Sequence, residues 1–510
     1  MASKTPGILY VTMHPHPTLP PSHFHDWYNN DHGPTRLRLP WVLNGFRYRA
    51  TDNSYSATRH EFMAVYDIED MHNLTTDEYT RLRKPPVQSQ RERDTMKQIT
   101  IDRRFYDCAG EWTSRTFSPM EIPENEGEKN IQIAVSVTLH PGPNNETEFK
   151  KWYEDEHIEL IRQIPGWRRT RRFVTSYLDI EAGRQKEYLV LHDYAPENDL
   201  QGEQMKKAVS TEWAKKVYGE VVKDRTVRAY ELFYTFGAAP RDLASLAEKE
   251  AVGVESTDGK TRSIPKAAEK EEAWPAIESY VTTSDGVELP YRIEGSPDAN
   301  APVLLCVNSI LVDYGIWDDF VPAFLSLTKG KYRVVRFNTR GRSSLPTTST
   351  TPITIQTLTT DIIILLDTLR IQCAALIGVS LGGATVLNAA LMYPKRVSAF
   401  ISCDTNATAP PGNPKAWGER IAMAESESAI STSSGEGIVG SELAEATVRR
   451  WFTKESYESA TISPRIERTK EMVMTNSLDG FKKSVNALYE YDFRDAMEAF
   501  EGKGVFVVGA

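Results

Sequence analysis

The sequence predicts two architectures in one chain: a first half of class α+β and a second half of class α/β. Three observations carry this. A block of aromatic, acidic and histidine residues recurs once, 125 positions further on. From Val303 onward, short apolar runs alternate with helical stretches, the pattern of buried parallel strands. Ser380 stands between Gly378 and Gly382 where such a run gives way to a helix.

In the first half, Phe24, Trp27, Tyr28, Asp31 and His32 are matched by Phe149, Trp152, Tyr153, Glu156 and His157, and Pro40 by Pro165. A repeat of this length is a duplicated domain, not a solenoid unit. Each copy opens with an alternating strand, residues 7–13 or 131–137. An amphipathic helix then carries the Trp-Tyr…His segment. A second strand follows the proline (45–49; 170–174), and a third is 61–66 or 187–191. A further helix and a last strand (99–106; 226–234) complete the copy. The order βαββαβ is the ferredoxin-like unit, expected here over 5–118 and 125–237.

These residues resemble the dimeric α/β-barrel superfamily, in particular its EthD-like members from fungi, over about residues 5–237. The resemblance implies that two units pair their sheets into a barrel, here within one chain. It leaves the chemistry open, because the superfamily includes monooxygenases, decarboxylases, cyclases and binding modules. Tyr28 with His32, and Tyr153 with His157, are the candidate site residues, four apart and so on one helical face. Two readings stand side by side. The pairs do acid–base work on a small aromatic or polyketide-like compound, or they are core residues with hydrogen-bonded polar tips.

Net charge is −10, with 60 basic and 70 acidic residues, which argues against a nucleic-acid partner. The cluster Arg168, Arg169, Arg171, Arg172 reads as a solvated strand face. No apolar run is long enough to span a membrane, and the N-terminus lacks the apolar stretch of a signal peptide. Cys108, Cys306, Cys373 and Cys403 have no metal or redox spacing, which fits a reducing, cytoplasmic location. The last three read as small core residues. His14, His16, His23, His25 and His32 are too irregularly spaced to define a ligand set, so no metal and no cofactor is expected.

Residues 238–275 have linker composition. A hairpin follows at 278–293 around Ser284-Asp285-Gly286. Apolar strands are expected at 303–307, 332–337, 374–378, 397–402 and 505–508, the last read as a buried strand. The glycines around Ser380 let the backbone make the strained turn that exposes a nucleophilic hydroxyl. Such a serine needs a base, almost always histidine, yet the last histidine is His192.

Four segments make this half resemble the α/β-hydrolase superfamily, and within it the 3-oxoadipate enol-lactonases, over about residues 276–510. They are the loop from Asn308 to Asp318, the turn from Asn338 to Ser344, the elbow from Gly378 to Gly383, and the stretch from Leu488 to Arg494. The resemblance implies Ser380 as nucleophile and the backbone N–H groups of Ile310 and Leu381 as oxyanion hole. Leu311 departs from the family's glycine. Asp404 stands where some members place the triad acid, and residues 405–488 would form a cap. By the lactonase pattern, an acid and a histidine would lie beyond Ala510, so the domain is expected to be truncated at its penultimate strand. The expected function is ester or lactone hydrolysis of a small molecule. The alternatives are a barrel enzyme acting on an aromatic or polyketide compound, and a non-catalytic binding protein. Oligomeric state is left open.

Overall fold

In a computed structural model, residues 4–56, 58–118, 129–267 and 273–509 are described. The expected limits of the second copy (125–128) and of the linker (268–272) fall partly outside these residues, as does Ala510. The chain divides into two compact units, Met1–Ala238 and Ala239–Ala510.

The N-terminal unit is a closed, antiparallel barrel of eight strands: β1 (Gly7–Pro15), β2 (Val42–Ala50), β3 (Phe62–Ile68), β4 (Ile99–Thr113), β5 (Ile131–Leu139), β6 (Trp167–Thr175), β7 (Tyr188–Tyr194) and β8 (Val222–Thr235). Around the barrel they run β1-β3-β2-β8-β5-β7-β6-β4. Each half therefore contributes four adjacent strands, in the order β4-β1-β3-β2 or β8-β5-β7-β6. The last strand of each half pairs with the second strand of the other. Phe46 of β2 lies opposite Thr235 of β8, and Tyr106 of β4 lies opposite Thr175 of β6.

Side chains alternate across each strand. One row, including Ile8, Phe46, Tyr48, Met63, Val65, Phe173, Leu189 and Leu232, forms a buried cluster drawn from both halves inside the barrel. The opposite row packs outward on helices as two separate cores, one around Phe24, Trp27 and Tyr28, the other around Phe149, Trp152 and Tyr153. The arginine cluster on β6 is not a solvated face. Arg169, Arg171 and Arg172 are buried because Asp193, Asp67 and Glu154, from other elements, supply carboxylates to them.

The C-terminal unit holds a nine-stranded sheet in the order β17-β16-β15-β13-β14-β12-β11-β10-β9. Its strands are β9 (Val254–Glu255), β10 (Arg262–Ile264), β11 (Ala276–Thr282), β12 (Glu288–Gly295), β13 (Val303–Val307), β14 (Arg333–Phe337), β15 (Ala374–Val379), β16 (Val397–Cys403) and β17 (Gly504–Val507). From β13 to β17 the pairs are parallel, and β11 and β12 form the expected hairpin. Helices Ile355–Thr368 and Leu381–Met392 cover it with apolar side chains, and helices Asn413–Glu427, Ser441–Trp451, Ser463–Met474 and Leu478–Val485 occupy the expected cap segment.

Three expectations differ from the structure. The segment expected as linker contributes β9 and β10 to the sheet, and Ala239, Leu243 and Leu246 are fully buried in its core. Its few apolar residues are spent on one packed face. β17 is not buried: among the described residues it pairs with β16 alone, so Val505, Phe506 and Val507 are exposed at the sheet edge. Of the three cysteines expected in the core, Cys306 is buried, Cys403 is half-buried and Cys373 is exposed, because it precedes β15 instead of lying within it. Among the described residues, no helix is long and apolar enough to cross a membrane.

Candidate active site

β15 runs into helix Leu381–Met392 through a single residue, Ser380, whose φ is 54° and ψ −113°. A non-glycine residue there is strained, and the surroundings must hold it. The N–H of Ser380 donates to the carbonyl of Cys403 at 2.8 Å, and Thr405 Oγ1 donates to the carbonyl of Ser380 at 2.7 Å. The elbow is thus pinned to the end of β16. The flanking glycines are a steric necessity. A Cβ on Gly378 would stand 2.2 Å from the carbonyl oxygen of Gly382, and one on Gly382 would stand 2.3 Å from that of Val307.

The loop after β13 is fixed by Asn308, which donates through Nδ2 to the Phe337 carbonyl (2.8 Å) and accepts from Trp317 Nε1 (2.9 Å). Leu311 follows with φ 73°, a left-handed conformation in which glycine is the easier residue. Among the described residues, no hydrogen bond occupies the backbone N–H of Ile310 or of Leu381. Both residues line one small cavity, together with Leu311, Arg342, Asn476 and Phe481. Below it, Arg340 binds Asp361 through two bonds of 2.6 Å and reaches Asp285 at 3.0 Å. This clamp ties the turn after β14 to helix Ile355–Thr368. Burial pushes the Asp361 carboxyl up, and Arg340 opposes that shift.

Asp404, at φ 49°, is exposed just after β16. Its N–H donates to the Val507 carbonyl at 2.8 Å, and its Oδ1 accepts from the N–H of Gly509 at 2.6 Å. No hydrogen bond joins its carboxylate to Ser380 among the described residues; it caps the segment after β17.

Residues 302–423 match the family described as alpha/beta hydrolase fold. The C-terminal unit is an α/β hydrolase. It is related to 3-oxoadipate enol-lactonase. The chain is similar to 3-oxoadipate enol-lactonase 2 of Acinetobacter baylyi, 29% identical over 229 residues, covering 45% of this chain and 77% of the relative. Its similarity to 3-oxoadipate enol-lactonase 1 of the same organism is 27% over 231 residues, covering 45% and 78%. Among solved structures, the enol-lactonase from Burkholderia xenovorans LB400 is 28% identical, with 45% of this chain and 81% of that chain covered and a TM-score of 0.39.

Apart from this hydrolase unit, the barrel's own candidates sit on helices that widen into one π-turn each, at Trp27–His32 and Tyr153–His157. Such turns are frequent at functional sites. Tyr28 and His32 have ring centroids 4.8 Å apart, and Tyr153 and His157 5.3 Å. His32 Nδ1 lies 3.0 Å from Glu92 Oε1, and Trp27 Nε1 donates to Glu92 Oε2 at 3.0 Å. His157 Nδ1 instead meets the Ala208 carbonyl at 3.1 Å. A carbonyl or carboxylate can only accept, so in both rings Nδ1 carries the proton and Nε2 has the lone pair. Burial lowers both imidazoles to about 4, and Arg36 adds to the effect at His32. Burial opposes ionisation of Glu92, but His32, Arg36 and Trp27 outweigh it and hold the carboxylate well below its usual range. Tyr28 Oη accepts from Tyr66 at 3.4 Å, whereas Tyr153 Oη is buried without a partner among the described residues. The other N-terminal histidines go separate ways: His14 toward Glu61, His16 to Thr100 and His25 to Arg47.

Glu92 was missed in the sequence. Its signal was the pattern Ser89-x-x-Glu92, which reads as a helix cap; Ser89 does cap that helix by accepting from Glu92 N–H at 3.0 Å.

Proposed function

We propose that the C-terminal unit cleaves an ester or lactone through Ser380. The single observation that carries this reading is the strained Ser380 elbow beside two unoccupied N–H groups, those of Ile310 and Leu381. The serine oxygen adds to the substrate carbonyl. Negative charge develops on the carbonyl oxygen and is met by the two N–H dipoles, whose frame is rigid before substrate arrives. A general base carries the serine's proton to the leaving oxygen as it departs, and water, deprotonated by the same base, then releases the acyl group and returns the proton to the serine. The enol-lactonase relatives support a lactone as the substrate class. Asp404 is the weaker candidate for an acid, because its carboxylate is engaged by Gly509.

Residues 193–510 contain no histidine to serve Ser380. Loss of the base costs a serine hydrolase about 10⁶ in kcat. The 510-residue chain is therefore expected to hydrolyse a p-nitrophenyl ester slowly, and free imidazole is expected to raise the rate. Ser380→Ala abolishes the imidazole-dependent rate. Imidazole-dependent hydrolysis that survives Ser380→Ala, beyond that of buffer, removes Ser380 from the reaction.

A second reading concerns the barrel. We propose that it consists of two ferredoxin-like, EthD-like repeats, a reading supported by the like strand orders of its halves. We assign acid–base work on an aromatic or polyketide compound to Tyr28 and His32 in preference to Tyr153 and His157. Glu92 favours this assignment, since a carboxylate on Nδ1 stabilises the imidazolium formed when Nε2 takes a proton. His32→Gln should abolish such an activity, while His157→Gln spares most of it.

A further inference from the structure

The arginines of β6 do more than neutralise acids. Arg171 shares the inward face of β6 with Phe173, and its side chain is 5% exposed. Its Nη1 donates to Asp67 Oδ1 of β3 at 2.6 Å, across the lumen of the barrel. Among the described residues, its other edge, Nε with Nη2, is sealed from solvent and has no partner. On that edge two N–H bonds run side by side, the fork that grips both oxygens of a carboxylate. Two residues along the same face, Arg169 donates through Nε to Asp193 Oδ2 at 2.8 Å, and its Nη2 also has no partner among the described residues. Gln132 of β5 donates to Asp193 (2.6 Å) and Tyr48 (3.1 Å), which leaves its Oε1 unsatisfied. Asn130, just before β5, has no partner at either side-chain atom among the described residues.

Each buried polar atom left unpaired is destabilising, because it gives up water without gaining a partner. Here they are concentrated at one end of one lumen, with the donors on two guanidinium groups. Asp67 and Asp193 already balance the charges of Arg171 and Arg169, so a single negative charge is tolerated far better than two. Aromatic rings flank the donors: Phe117 lies 5.1 Å from the Arg169 guanidinium, and Phe173 lies 5.6 Å from that of Arg171.

We propose that this end of the barrel lumen binds a small monocarboxylate with an apolar or aromatic body. Its carboxylate sits on the Nε/Nη2 fork of Arg171 and reaches Nη2 of Arg169. The site lies wholly within the N-terminal unit and does not depend on the reading of Ser380.

The test is equilibrium dialysis of the full chain against radiolabelled benzoate, with sulfate and chloride as competitors at matched ionic strength. Wild type should bind benzoate saturably, and neither sulfate nor chloride should displace it as unlabelled benzoate does. Arg171→Lys keeps a cation opposite Asp67 but has no fork, and should raise Kd about tenfold or more. Arg169→Lys, measured alongside, should weaken binding less, and Ser380→Ala should leave it unchanged. No saturable binding by wild type overturns the proposal. So does equal binding by either folded lysine variant of Arg171 or Arg169 and wild type both, or displacement by sulfate as effective as by benzoate, which would make the fork a general anion site.

Discussion

The two halves of the barrel share a frame and differ in its chemistry. At one spacing of 125 residues, Trp27, Tyr28, His32 and Arg47 correspond to Trp152, Tyr153, His157 and Arg172. In each half, a later helix is capped by a hydroxyl, Ser89 or Thr211, which accepts from the N–H three residues on. That third residue is Glu92 in the first half and Ala214 in the second. The consequence spreads through the neighbours. Trp27 and His32 both turn to Glu92, whereas Trp152 donates to Glu156 at 3.2 Å and His157 to a main-chain carbonyl. The apolar rows and helix caps set the backbone. Ionisable groups are then free to differ, and Trp27, Trp152, His32 and His157 each find an acceptor by a different route.

The sharpest way to break this comparison is Glu92→Ala. It strands Trp27 Nε1–H, His32 Nδ1–H and the Arg36 guanidinium in the core at once. The expected loss is about 3–5 kcal/mol in urea unfolding, the cost of removing one partner from a buried charge network. Ala214→Gly, at the corresponding position, should cost about 1 kcal/mol. Equal losses would mean that Glu92 is no more than filler.

Acid should load His32 and His157 alike despite their different partners. An unfolded histidine binds a proton below about 6.5, whereas His32 and His157 stay neutral in the fold down to about 4. Between those values the unfolded state holds the extra protons. Stability therefore falls as pH drops from about 6.5 to about 4, by up to about 3 kcal/mol per histidine, and does not change on this account above that window. His157→Gln should flatten the dependence of unfolding free energy on pH in that window. An unaltered slope would show that His157 titrates normally in the fold.

A smaller contrast is expected at the paired arginines. Among the described residues, Arg47 lies over the rings of Phe24, Tyr28, Phe62 and Phe233 at 4.4–5.6 Å, while Arg172 has Tyr153 and Trp112, at 5.3 and 5.9 Å. Arg47→Lys should cost about 1–2 kcal/mol and Arg172→Lys less than about 1, since lysine loses the flat stacking face. Thermal denaturation of the two variants side by side measures the difference, and a larger loss at Arg172 would reverse it.

Much of this was legible in the sequence because it is local. The spacing of Trp, Tyr and His within one helix marked both buried clusters of the barrel unit, and the glycines on either side of Ser380 marked the turn from β15 into its helix. What was not legible depends on residues far apart in the chain. Glu92 reaches His32 from 60 positions away. Arg171 looked like a solvated charge because its partner, Asp67, comes 104 residues earlier. Segment 238–275 looked like a linker because composition averages over residues; Ala239, Leu243 and Leu246 are few, but all lie on one buried face. The exposure of β17 was hidden for a related reason: an apolar run gives a strand, not its number of neighbours.

The pairing of β2 with β8 also has a consequence for synthesis on the ribosome. Phe46 emerges early, but its partner Thr235 is made nearly two hundred residues later. At roughly 5–20 residues per second, the free edge of β2 waits on the order of ten seconds or more before the barrel can close. During that interval the nascent chain carries an open sheet of β-rich sequence, the kind of edge that invites strands from neighbouring polysomes. Slow codons or a chaperone would matter most between the two halves, and a chain released before β8 would have no way to seal itself.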